Sequence, residues 1–293
     1  MLDLSNASGT FDKLFRLDPA PRYRLDRSPL VQVLGQVHFP MRPKLNTVDG
    51  IAPIQQGLEP IFPYMKLQQV QQVSLVVGSV GGINQASQIF QSWHFTNDSG
   101  WSLSVSPDSA SLTVEHQYTQ FSEFSDRFRE ILSVLAISAG ISRADRLGVR
   151  YMNVAEVPLT DEGSWRNWFR PELTGWSASE VVSDSTTLIT SITQTQLTAA
   201  PIDELSGPPV DVQGIVRHGL IPAGTIVPLS LPMQLQNPAF LLDIDLFVDA
   251  PQRFDPEELS RQVTILHDQI DRFFFWAVAD DGATYFGREV IQQ

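Results

Sequence analysis

Residues 30–39 place Val31, Val33, Val37 and Phe39 at period two, with Gly35 interrupting the face, which predicts a strand closed by Pro40 and Pro43. Ile51, Ile54, Leu58 and Ile61 then follow at spacings of three, four and three, predicting a helix over 49–62 with Pro53 in its first turn. After a Gln-rich passage the pattern predicts three short strands, 88–95, 101–106 and 110–118, joined by the turn sequences NDSG and SPDS. Trp101, Leu103 and Val105, then Leu112, Val114, His116 and Tyr118, alternate with polar residues, so the sheet should be antiparallel with one wet face. Phe121, Phe124, Phe128, Leu132 and Leu135 form the stripe of an amphipathic helix ending near Gly140, expected to cover the dry face.

The second half follows the same order. A strand is expected at 146–157, a short helix at 164–169, strands near 185–198, 210–217 and 239–248, and then a long helix. That last helix carries the clearest signals: Asp255 as N-cap, Pro256 at the first helical position, Glu257 and Glu258 in the first turn, and Leu259, Val263, Leu266, Ile270, Phe273 and Ala277 at spacings of four and three. The predicted class is α+β, as two degenerate β-α-βββ-α halves over 29–142 and 143–293, each an antiparallel sheet with a long helix on one face, preceded by a polar arm over 1–28.

Composition narrows the chemistry. Among 293 residues there is no cysteine, which removes thiolate catalysis, Cys-ligated metals and disulfides together. Thirty-three Asp and Glu against twenty Lys and Arg give a formal charge of −13, which disfavours nucleic acid as a partner. The N-terminus lacks the basic and apolar regions of a signal peptide, and the most apolar stretches, 131–141 and 273–279, are shorter than the ~20 residues of a membrane span. A cytoplasmic protein is expected.

Several segments in this order resemble a sporadically distributed bacterial family of hypothetical proteins without a settled activity: Pro29-Leu30-Val31, Phe62-Pro63, Gly148-Val149-Arg150-Tyr151-Met152-Asn153, Leu242-Asp243-Ile244-Asp245, and Leu266-His267 with Phe273-Phe274. The resemblance spans most of the chain from Pro29 and implies a fold but no reaction. Gln32 stands where that family places Glu, and Phe275-Trp276 replace a more polar helix ending.

Candidate chemistry is sparse. Asp243 and Asp245 project from one face of their strand and offer two oxygens to a hard cation, without a third acid placed by spacing. Arg150 shares a face with Arg146 and Gly148, and the missing side chain of Gly148 leaves room beside its guanidinium for a carboxylate, either Asp243 or Asp245 of the chain itself or an anionic ligand. His38, His94, His116, His218 and His267 lack metal-ligand spacing, and no Gly-x-Ser-x-Gly elbow occurs. His267 and Asp271 stand four apart on the last helix and could orient one another as base and acid, against which Asp268 and Arg272 suggest an ordinary charged face; His116 is expected inward. The glycines of 78–82 lack the spacing and the Lys of a phosphate cradle.

Over 226–235, Val227, Leu229, Leu231, Met233 and Leu235 alternate with Pro228, Ser230, Pro232 and Gln234, reading as an extended arm barred from a central strand by its prolines. Its apolar side asks for cover by its own core or by a partner, which makes Leu229, Leu231 and Met233 candidate interaction residues. The expected function is a non-enzymatic binding or interaction protein without catalytic residues, metal or cofactor, acting through a protein partner or self-association. A small anionic ligand held by Arg150, or metal-assisted hydrolysis at Asp243 and Asp245, are the alternatives.

Overall fold

A computed structural model describes residues 14–17, 23–77, 83–157, 164–179, 181, 185–199 and 212–290. In chain order they form β1 (Tyr23–Leu25), β2 (Leu30–His38), a 3-10 turn at Pro43–Asn46, helix α1 (Val48–Leu58), β3 (Tyr64–Val77), β4 (Ile83–Thr96), β5 (Trp101–Ser106), β6 (Ser109–Val114) and helix α2 (Phe121–Ser138). There follow β7 (Arg143–Ala144), β8 (Arg146–Glu156), a 3-10 turn at Ser164–Asn167, α3 (Pro171–Thr174), a second such turn at Gly175–Ala178, β9 (Ser191–Thr198) and β10 (Val212–Ile221). The chain continues through β11 (Ile226–Val227), β12 (Met233–Gln234), β13 (Ala239–Val248), β14 (Gln252–Arg253), α4 (Pro256–Ala277), α5 (Asp280–Tyr285) and β15 (Arg288–Val290). The class is α+β, with antiparallel pairing in every register assigned.

Two compact units divide the chain. One draws on residues up to Leu34, Gly148–Ala250 and from Arg261 onward; the other on Gly35–Leu147 and Pro251–Ser260.

In the second of these the strands neighbour one another in the order β3-β4-β5-β6-β2. The three-strand expectation is corrected to four: the Gln-rich passage is β3, paired with β4 from Tyr64↔Thr96 to Val77↔Ile83. Met65, Leu67, Val73, Leu75 and Val77 share one parity, but Gln69 and Gln71 interrupt it in mid-strand, so the cross-strand ladder is what reveals the element. Gly35 opens a gap in β2 for the Phe124 ring, which would lie 2.9 Å from a Cβ placed there. Phe124, Phe128, Ile131, Leu132 and Leu135 of α2 are buried, and Gly140 follows the helix at φ 61°, the left-handed end that glycine tolerates. Helix α1 is capped by Thr47, whose hydroxyl accepts from the Gly50 amide, and it ends at Leu58, earlier than expected. His116 is exposed rather than inward, because β6 stops at Val114 and the alternation lapses in the turn beyond it.

In the first unit the order is β2-β8-β13-β10-β9. Helix α4 begins as its sequence predicts: the Asp255 carboxylate accepts from the Glu257 and Glu258 amides, and Leu259, Val263, Leu266, Ile270, Phe273 and Ala277 are buried. It lies on the Tyr151 side of β8, where the Tyr151 hydroxyl meets His267 Nδ1 at 2.8 Å. Its aromatic ending packs against β1, with Tyr23 4.7 Å from the Phe275 ring, and the Trp276 carbonyl accepts from Arg170 Nε. Of the expected N-terminal arm, only 14–17 and 23–28 are among the described residues, and the glycines of 78–82 are outside them.

β2 lies beside β6, the last strand of the first meander, and β8 beside β13, the last of the second. The meanders differ in strand number, and an internal duplication remains an inference from element order.

The expected extended arm over 226–235 is a hairpin. Ile226↔Gln234 and Val227↔Met233 pair, with the chain reversing between Pro228 and Pro232. Val227, Leu229 and Leu235 are buried with Val31, Met152, Val154 and Ala239, and Met233 packs on the same cluster. Reversal of direction breaks the alternation and leaves Leu231 84% exposed at the turn. Leu231→Asp is therefore expected to change unfolding free energy by less than about 0.5 kcal/mol, checked by urea denaturation.

Candidate binding surface

On the face of the first unit's sheet opposite α4, a polar row crosses four strands: Arg150 of β8, Asp243 of β13, Arg217 of β10 and Gln194 of β9. Arg217 stands directly across from Asp243 on one side and from Gln194 on the other. Alternation sends Leu242, Ile244 and Leu246 into the core and so turns Asp243 to this face. Arg150 donates to Asp243 Oδ1 from Nε at 2.6 Å and to Oδ2 from Nη2 at 2.9 Å, the fork-to-carboxylate geometry expected of an internal ion pair. Arg217 Nη1 donates to Oδ2 at 2.9 Å, and its Nε donates to the Gln194 carboxamide oxygen at 2.8 Å.

The Asp243 side chain is 2% exposed, whereas the two guanidinium side chains are 33% and 32% exposed. Burial by itself would lower the Arg150 pKa; hydrogen bonds to Asp243 and the charges of Asp243 and Asp245 outweigh it and hold the group above the ordinary arginine value. The room foreseen beside Arg150 is already occupied: a Cβ on Gly148 would meet the Phe247 Cβ at 3.0 Å and the Leu246 carbonyl at 3.3 Å. Glycine here admits β13 rather than a ligand carboxylate.

Two guanidiniums converging on Asp243 oppose a cation at the Asp243 and Asp245 pair. Among the described residues no group of three His, Asp or Glu is placed to hold a metal ion. His218, not singled out by spacing, is buried on the core side of β10 with Nδ1 2.7 Å from the Leu173 carbonyl oxygen; burial pushes its pKa below the ordinary imidazole value against that contact. Burial, reinforced by Lys66, also lowers His94, whose Nδ1 lies 3.2 Å from Ser104 Oγ.

The row ends at β9, the last strand in its sheet order. Six of its eight residues are exposed, and Ile192 is 47% exposed. The Ala199 amide donates to the Val212 carbonyl, which sets the parity of the ladder: the backbone groups of Ser191, Thr193, Thr195 and Leu197 turn toward β10. Those of Ile192, Gln194, Gln196 and Thr198 turn outward, and among the described residues no strand pairs with them. No charged residue, proline or glycine occurs in β9, so the strand carries none of the residue types that commonly blunt an edge.

Arg217, Gln194 and this edge escape single-sequence reading, because their neighbours belong to other strands. The one legible trace was compositional: from Ser185 to Ile202 the chain carries no ionisable side chain. Of the arm residues singled out, Leu229 is buried, Met233 is half-buried against the same cluster and Leu231 points to solvent. No helix among the described residues is long and apolar enough to cross a membrane. No family model matches the chain, and no curated protein matches it.

Proposed function

We propose that the chain is a non-enzymatic interaction protein, an accessory or regulatory component of a bacterial multi-protein system, and that it binds by adding an extended segment to β9. The observation that carries this is the outward row of backbone donors and acceptors at Ile192, Gln194, Gln196 and Thr198 on an exposed, uncharged strand. Backbone groups supply the affinity in strand addition and alternate side chains the selectivity. The row of Arg217 and Gln194 behind the edge stiffens it from the flanking strand.

A second reading, a small anion at Arg150 and Arg217, draws on two guanidiniums that share one buried carboxylate while a third of each side chain stays exposed. A rise in melting temperature with phosphate or dicarboxylates, absent in Arg217→Met, would favour it.

Because the chain has no cysteine, Thr193→Cys places a thiol photocrosslinker at the edge alone. Adducts formed in an extract of the native host are expected to disappear when Gln196→Pro is added. Proline at an outward-facing position removes one edge donor and leaves the β10 ladder intact. Adducts that persist in the double variant would exclude strand addition at β9.

A further inference from the structure

We infer that the segment completing this edge is β9 of a second copy, paired antiparallel across a two-fold axis that passes through Thr195. This rests on the strand-addition reading and names its partner.

The outward-facing residues lie symmetrically about Thr195, Gln194 and Gln196 one position away and Ile192 and Thr198 three positions away. Turning a second β9 by a half-turn about Thr195 sets Gln194 opposite Gln196 and Ile192 opposite Thr198, twice each. All of these are positions that exchange two hydrogen bonds in an antiparallel ladder, so about eight bonds form and no outward N–H or C=O of the strand is left over. Registers shifted either way lose pairs from the ends of the strand.

Charge permits the same partner. The chain carries a formal −13, and a two-fold axis brings any charged group close to it near its own like. An isologous contact is tolerated where the strand and its flanks hold no charge, and the run from Ser185 to Ile202 meets that condition. Side chains agree as well. Opposite residues share a face, so Thr193 meets Leu197 and Ile192 meets the Thr198 methyl, while the two Thr195 side chains adjoin at the axis. A contact of this kind uses the same surface on both copies and closes at the dimer.

Sedimentation equilibrium of the purified chain across the micromolar range is the test. The wild type is expected to interconvert between one and two chain masses. Gln196→Pro removes two hydrogen bonds per dimer and is expected to weaken it at least about tenfold. Thr195→Lys and Thr195→Glu place like charges at the axis, so each alone is expected to stay monomeric, while their equimolar mixture recovers the dimer. Thr195 is exposed, and melting temperatures of all three variants within a few degrees of the wild type show that they fold. A wild type that is monomeric throughout, a dimer indifferent to these changes, a mixture that fails to pair, or growth past two copies would each overturn the self-pairing. Crosslinked adducts to other proteins alongside a strictly monomeric purified chain would reject the second copy and leave the strand-addition reading standing.

Discussion

Asp243→Asn is expected to lower unfolding free energy by about 3 kcal/mol, the lower end of the range for breaking a buried ion pair. The carboxylate is 2% exposed and accepts from Arg150 Nε and Nη2 and from Arg217 Nη1. Asparagine keeps the shape, but removes the charge and turns donors toward donors. Solvent reaches a third of each guanidinium side chain and screens part of the remaining repulsion, which is why the lower end applies. In thermal unfolding the change corresponds to a fall of about 5 °C. Arg217→Met should cost much less, because the bidentate Arg150 contact survives it. The triple change Arg150→Met, Asp243→Leu and Arg217→Met, which removes both guanidiniums together with the carboxylate they share, should recover at least about half of the loss, as apolar replacements of buried ion clusters commonly do. An Asp243→Asn protein as stable as the wild type would show that the row is not a stabilising element of this sheet.

A larger effect is expected at Phe240. This β13 side chain is fully buried, its ring stacked on Phe169 at 4.3 Å and 6.3 Å from Trp165. These contacts attach the segment around Ser164–Asn167 and α3 to the sheet; the Arg170 amide bond to the Ala277 carbonyl and the Ala279 amide bond to the Trp168 carbonyl tie the same segment to the end of α4. Phe240→Ala is expected to cost about 3–5 kcal/mol, the loss of a buried aromatic together with the cavity it leaves. Urea denaturation followed by tryptophan fluorescence reads it, because Trp165 and Trp168 lie in the cluster. Hydrogen exchange should quicken first over 164–178, before β13 itself loosens. Phe240→Leu, which fills most of the space, should cost clearly less. A loss below about 1 kcal/mol for the alanine variant would mean that the aromatic stack does not anchor the segment.

Some of the candidate surface was legible before any coordinates. Arg150 and the acids of β13 could be matched because a guanidinium on a half-buried strand needs a carboxylate, and Asp243 and Asp245 share one face of a strand whose other face is apolar. The choice between them, and the second guanidinium from Arg217, required the register Arg217↔Asp243. The space expected beside Gly148 for a carboxylate is filled by Phe247 and the Leu246 carbonyl instead, since a missing Cβ does not say which neighbour fills it.

What the sequence determined by itself is local. Helix α4 follows from its Asp255 cap and a stripe at spacings of three and four, α2 from its Phe and Leu stripe, and β5 and β13 from alternation, because each of these signals is written within a few turns or residues. Only the tertiary structure decided what depends on residues far apart in the chain. The Gln-rich β3 exists through its ladder with β4, the run at 226–235 folds back on itself because Val227 and Leu229 find the core of Val31 and Met152, and β9 is an edge because, among the described residues, β10 alone pairs with it. Backbone hydrogen bonds between strands carry no side-chain signature, so β9 could be read as a strand within 185–198 while its place at the edge could not.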